Sequence, residues 1–222
     1  MRHIVFDVNE TLLDLSNLNP QFKRIFGEES VSDRWFAQLL QNAMVASLSG
    51  HYQDFADLAR DALELSAKKQ GFSLRSEDAA DILAGMRRLS PHSDVIPALT
   101  RLKEAGFCLI ALTNSPYRIL KSQLSYAGIL DFFEQTFSVD EVKLFKPHPA
   151  VYQMAAQKLG IALSDIRMVA AHNWDITGAI RAGCKGAFVA RAGAHLGTYD
   201  EKPDIVASSL IEVAEAIIQK DA

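Results

Sequence analysis

The chain has 222 residues, of which 49% are hydrophobic and 23% charged, with a formal net charge of −4 at pH 7. That length suits one large domain, or a domain carrying an insertion, and the acidic balance leaves no basic footprint for nucleic acid. No apolar run reaches the roughly 18 residues that a membrane span needs, so neither nucleic acid nor a membrane is expected as a partner.

The chain opens on an apolar run, 2–6, that ends at Asp7. Further runs rich in β-branched or aromatic residues follow at 107–112, 136–139, 167–171 and 186–190, with a weaker one at 204–207. Amphipathic segments at 93–105, 117–127, 149–159 and 174–182 separate most of them, and Gly106, Gly128, Gly160 and Gly183 stand where helices stop. Alternating strands and helices predict parallel βαβ units in a doubly wound α/β sheet. The interval 16–90 breaks this rhythm. It has no convincing strand and carries two helical apolar stripes, one through Trp35, Phe36, Leu39, Leu40, Ala43 and Met44 and one from Phe55 to Leu65, with breaks expected at Gly50, Gly71 and Ser90-Pro91. We therefore expect a Rossmann-like core from 1–15 and 91–222, with 16–90 as a helical cap over the crevice. The strand pattern begins without a leader signature. Cys108 and Cys184 lie among apolar or small neighbours that read as reduced core positions. A cytoplasmic protein is expected.

In an open parallel sheet, ligands bind beyond the carboxyl ends of the strands. Four such places in this sequence carry polar groups: Asp7, Asn9, Glu10 and Thr11 after the first strand; Thr113-Asn114-Ser115 after the second; Lys146 to Tyr152 in the loop after the third; and His172-Asn173-Trp174-Asp175 after the fourth. A carboxylate, hydroxyl and amide donors, a lysine and a second acid converging on one crevice are far less expected by chance than any one of them, and they make Asp7 a candidate nucleophile or metal ligand. Each residue also has a plainer reading. Asp7 suits a turn cap, Thr11 a helix N-cap, Tyr152 and Trp174 packing, and His172 a satisfied structural group. The other histidines show no paired metal-ligand spacing.

The ordered set Asp7, Thr11, Thr113-Asn114, Lys146-Pro147, Tyr152 and Trp174-Asp175 resembles the haloacid dehalogenase superfamily, and within it the L-2-haloacid dehalogenase branch, over essentially the whole chain. The resemblance implies that Asp7 attacks the substrate carbon, expels halide and is left as an ester. Lys146 would keep Asp7 ionised. Thr11, Thr113 and the amides around Asn114 would hold the substrate carboxylate and the reacting oxygen, and Asn114 with Lys146 would stabilise the oxyanion. His172 or Asp175 would then activate the water that attacks the ester. Phe36, Tyr152 and Trp174 would line the substrate site. The expected substrate is a small (S)-2-haloalkanoic acid, with no cofactor and no metal. Relatives of this branch often form dimers, which raises a homodimer as an expectation, although no interface patch can be read from the chain.

The chain also departs from that branch. Asn9 and Glu10 stand where the branch has an aromatic residue and a glycine. Phe36 falls at the position of the arginine that receives the departing halide, and Arg34 would lie roughly 200° around the helix from it. Ala170-Ala171-His172 replaces Ser-Ser-Asn. Two alternatives therefore stay open: a Mg²⁺-dependent phosphatase acting on a small phosphate ester, with weak Mg²⁺ binding, or a catalytically silent binding protein of the same fold. Against the phosphatase, Asn9 cannot deliver an acidic proton, and Ala171 offers nothing to a metal. An extended turn would point Glu10 away from its neighbours' side.

Overall fold

A computed structural model describes residues 3–221. Its first strand, β1 (His3–Phe6), shows why the centre of the sheet forms here: Ile4, Val5 and Phe6 are almost wholly buried, as expected of a strand covered on both faces. The expected start of this strand at Arg2 lies outside the described residues. β1 pairs in parallel with β2 (Cys108–Thr113) on one side and β4 (Ile166–Ala170) on the other. With β3 (Gln135–Ser138), β5 (Lys185–Val189) and β6 (Ile205–Ala207), the sheet runs β3-β2-β1-β4-β5-β6, all parallel. The chain moves outward from β1 through β2 to β3, then crosses back to β4. That reversal beside β1 is the switch point at which open α/β sheets place their ligands. Register brings Phe6 level with Ala111 and Val169, so Asp7, Thr113 and Ala171 leave the sheet at the same edge.

Helices cover the sheet. α5 (Val95–Glu104) packs on α9 (Leu210–Asp221), and α7 (Pro149–Leu159) on α8 (Asn173–Ala182), while α6 (Tyr117–Tyr126) lies against β3. Four more helices lie between β1 and β2: α1 (Asn19–Phe26), α2 (Val31–Ser49), α3 (Phe55–Lys69) and α4 (Ser76–Gly85). Both expected stripes are real. Leu39, Ala43 and Ala46 of α2 and Leu58, Ala59, Ala62 and Leu63 of α3 are buried, and the Trp35 indole donates to the Ala59 carbonyl at 2.9 Å. Asp54 caps α3 by accepting from the Ala56 N–H, and Lys68 and Lys69 close its last turn, where cations suit the helix dipole. The chain enters and leaves this insertion side by side, with Asp14 N–H donating to Ser90 O and His92 N–H to Leu12 O.

Inside the sheet, β4 carries a charge that its apolar neighbours conceal. Arg167 is fully buried and paired with Asp204 and Asp221. Among the described residues, no helix is long and apolar enough to cross a membrane.

Candidate active site

Asp7 is the first residue past β1, with 5% of its surface exposed. Its Oδ1 accepts from the Lys146 ammonium at 2.7 Å, and its Oδ2 accepts from the Thr11 hydroxyl at 2.7 Å and faces His172 Nδ1 at 2.9 Å. Thr11 is itself fixed, because its oxygen accepts the Ala171 N–H at 2.9 Å. Burial alone would raise the pKa of Asp7. The Lys146 charge, with the hydrogen bond and charge of His172, overrides burial and holds the carboxyl below the usual carboxylate range.

Lys146 is buried to 1% exposure, and its Nζ reaches three acceptors: Asp7 Oδ1, Asp175 Oδ2 at 2.7 Å and the Leu112 carbonyl at 3.2 Å. Burial would pull its pKa down, but the carboxylates of Asp175 and Asp7 raise it, so the ammonium persists. The loop before it is anchored by Phe145, whose ring stacks on Tyr52 and meets Phe55, and whose N–H donates to Ser47 Oγ. The insertion thus sets the height of the lysine. Asn114 Oδ1 accepts the Lys146 N–H at 3.0 Å, which fixes the amide's orientation; its Nδ2 has no protein acceptor among the described residues.

Asp175, in the first turn of α8, is completely buried. Burial and the charge of Asp7 raise its pKa, with Lys146 pulling the other way. The Tyr152 hydroxyl donates to Asp175 Oδ1 at 2.6 Å, with the Asp175 carbonyl a weaker second acceptor of the same proton at 3.1 Å. Trp174 stacks on the His172 ring, with centroids 4.8 Å apart, and Phe36 lies 6.1 Å from the same ring. A cavity of about 470 Å³ opens here, lined by Glu10, Phe36, Leu40, His172, Arg191 and His195 among others.

The structure therefore gathers Asp7, Thr11, Lys146, His172, Asp175, Asn114, Phe36 and Trp174 around one crevice. Two expected substrate contacts are placed differently. Tyr152 turns its hydroxyl to Asp175, because a buried phenol needs an acceptor. The Thr113 hydroxyl accepts the Ser115 N–H at 3.1 Å, which also removes that amide from the donors expected for a substrate carboxylate.

Glu10, expected to point away from the crevice, instead joins the site. Its φ is 61°, a left-handed turn rather than an extended segment, and its Oε2 lies 2.7 Å from His172 Nε2. The signal was present in the sequence, because a glycine at this place in the related motif marks a positive φ. Although burial favours the neutral ring, its hydrogen bonds to the Asp7 and Glu10 carboxylates raise the His172 pKa to about 10.

The metal expected of the phosphatase alternative fails a direct test of fit. The four carboxylate oxygens of Asp7 and Asp175 are already engaged by Lys146, Thr11, His172 and Tyr152. Ala171 has no donor atom, and Asn9 is turned away, with Nδ2 on Ser115 and Oδ1 on Gln123.

The ionised Asp7, with the lysine behind it, stands at the switch point where an open α/β sheet binds its ligand. The model of the haloacid dehalogenase-like hydrolases matches residues 1–183. The (S)-2-haloacid dehalogenase of Pseudomonas sp. (strain YL) is 31% identical over 218 residues, covering 97% of this chain and 94% of that protein. The L-2-haloacid dehalogenase of Xanthobacter autotrophicus superposes with a TM-score of 0.93 at 26% identity, each chain covered in full. The structure of that enzyme with chloropropionic acid covalently bound gives 0.92 at the same identity and full coverage. The chain belongs to the haloacid dehalogenase-like hydrolases, and its similarity runs to their L-2-haloacid dehalogenases.

Proposed function

We propose that this protein hydrolyses the carbon–halogen bond of a small (S)-2-haloalkanoic acid, a small-molecule substrate, through an ester on Asp7. The observation that carries this reading is a buried Asp7 held ionised by Lys146, beside an Asn9 that offers no acidic proton and an Ala171 that offers no metal ligand. The covalent chloropropionate adduct of the Xanthobacter autotrophicus enzyme supports it.

In the first half-reaction a carboxylate oxygen of Asp7 displaces halide from the 2-carbon, so that a C–O bond forms as the C–halogen bond breaks. The free Asn114 Nδ2 and the edge of the Phe36 ring take the place of the missing arginine in receiving the halide. Phe36 and Trp174 form apolar walls that suit a short alkyl chain and exclude bulk water. In the second half-reaction, water attacks the ester carbonyl carbon, the oxyanion is stabilised by Lys146 and Asn114, and the 2-hydroxy acid leaves. Residues 16–90 act as a cap that sets Phe36 beside His172 and packs Tyr52 and Phe55 on Phe145, and 1–15 with 91–222 form the core. The two free cysteines are consistent with a cytoplasmic setting.

The test is chloride release from (S)-2-chloropropionate with and without EDTA, alongside phosphate release from an aryl phosphate with Mg²⁺. Chloride release insensitive to EDTA is expected. Metal-dependent phosphate release without chloride release overturns the reading.

A further inference from the structure

Glu10 is a carboxylate at the crevice that the steps above do not use. Its backbone is held in the left-handed region by two main-chain contacts: its N–H donates to Leu13 O at 2.8 Å, and its carbonyl meets His92 Nε2 at 3.0 Å. Strained positions held this firmly cluster at functional sites. The strain here turns the side chain onto His172, whose ring is strung between Glu10 Oε2 on Nε2 and Asp7 Oδ2 on Nδ1. Stacking on Trp174 fixes the ring plane.

A neutral imidazole has one N–H and one lone pair, so only the imidazolium can donate to both carboxylates. While Asp7 is free, the ring is therefore an acid on both edges and cannot take a proton from water. Esterification changes one edge only. Asp7 loses its charge, Nδ1–H loses its anionic acceptor, and Glu10 still holds Nε2–H.

We propose that Glu10 is a positioning residue for ester hydrolysis: it retains the Nε2 proton of His172, so that the lone pair exposed on Nδ1 faces the water attacking the Asp7 ester. The proposal rests on the dehalogenase reading. The protons balance. After halide leaves, the Nδ1 proton passes to solvent, which accounts for the one proton that accompanies halide overall. Water then bonds to the ester carbonyl carbon and gives one proton to Nδ1. The bond from that carbon to the substrate oxygen breaks, and the departing alkoxide takes the second proton of the water. Asp7 is left as a carboxylate and His172 as an imidazolium, as at the start.

The experiment compares wild type, Glu10→Gln and Glu10→Gly in rapid-quench reactions with (S)-2-chloropropionate. Chloride, 2-hydroxypropionate and ester on the protein (by intact mass) are each measured. Glycine takes the left-handed backbone without steric cost, so Glu10→Gly keeps the fold even if the glutamine does not. First-turnover chloride release is expected within about threefold of wild type, whereas hydroxy acid formation falls on the order of 100-fold, as for loss of an oriented general base, and ester accumulates. Hydroxy acid formation that keeps pace with chloride in both variants, or equal slowing of the two half-reactions, overturns the assignment and leaves the dehalogenase reading intact. Failure of wild type to release chloride overturns both.

Discussion

Asp7 and Lys146, 139 residues apart in sequence, form a buried ion pair of 2.7 Å between the end of β1 and the loop that follows β3. The pair lets a carboxylate stay ionised among apolar walls, and Asp175 on the far side of the same ammonium locks its position.

Removing the lysine should therefore cost both stability and chemistry. Lys146→Met leaves two buried carboxylates facing each other, and breaking a buried pair in this way costs on the order of 3–5 kcal/mol. Asp7 also loses the neighbouring charge that, with His172, holds it below the usual carboxylate range, so chloride release should fall. Urea denaturation and chloride release measure the two effects, and an active Lys146→Met of wild-type stability would contradict them.

Tyr152 should matter through Asp175 rather than through the substrate. Tyr152→Phe removes the single hydroxyl proton shared between the Asp175 carboxylate and carbonyl, so a loss of about 1.5–3 kcal/mol is expected. The KM for (S)-2-chloropropionate should change little while kcat falls. A rise in KM at constant kcat would instead place the hydroxyl against the substrate.

The dependence of stability on pH should carry the mark of His172. Its pKa rises from an ordinary 6.5 to about 10 on folding, so its contribution is fully present below about 6.5 and lost as pH climbs through about 10. Asp7 behaves oppositely: its folded value is depressed, so its contribution is present above the ordinary carboxylate range and lost in acid. The stability gap between wild type and His172→Ala should shrink between about 6.5 and 10. A gap that stays constant across that window would show a neutral ring in the folded protein.

Gly178 is a more remote test of the same geometry. A Cβ there would lie 2.4 Å from Pro147 Cβ, 2.8 Å from Pro147 O and 2.9 Å from the Tyr152 hydroxyl. Gly178→Ala must push α8, which bears Asp175, away from the loop that bears Lys146. Overpacking of this kind costs about 1–3 kcal/mol, and kcat should fall with it. An unchanged melting temperature would argue that this loop yields freely.

Much of this was legible in the sequence because strand ends are legible. Apolar runs ending at Asp7, Thr113 and Ala171 fix three corners of the crevice once the sheet is parallel, and the positive-φ glycines mark where helices stop. Arg167 was harder, since its partners Asp204 and Asp221 lie far along the chain and only tertiary pairing makes a buried guanidinium tolerable. The tasks of Tyr152 and Thr113 depend on which acceptor lies nearest, and residue spacing does not encode that. Glu10 was missed because side-chain alternation holds for extended backbone, and the chain at this point is not extended.

The central claim is that Asp7 bonds covalently to substrate without a metal. The most direct measurement is peptide mass mapping after a rapid quench of EDTA-treated protein with (S)-2-chloropropionate. The account predicts a 2-substituted propionyl ester on the peptide bearing Asp7, absent from Asp7→Asn. Steady chloride release with no such adduct on Asp7, or turnover by Asp7→Asn once deamidation is excluded, would contradict it.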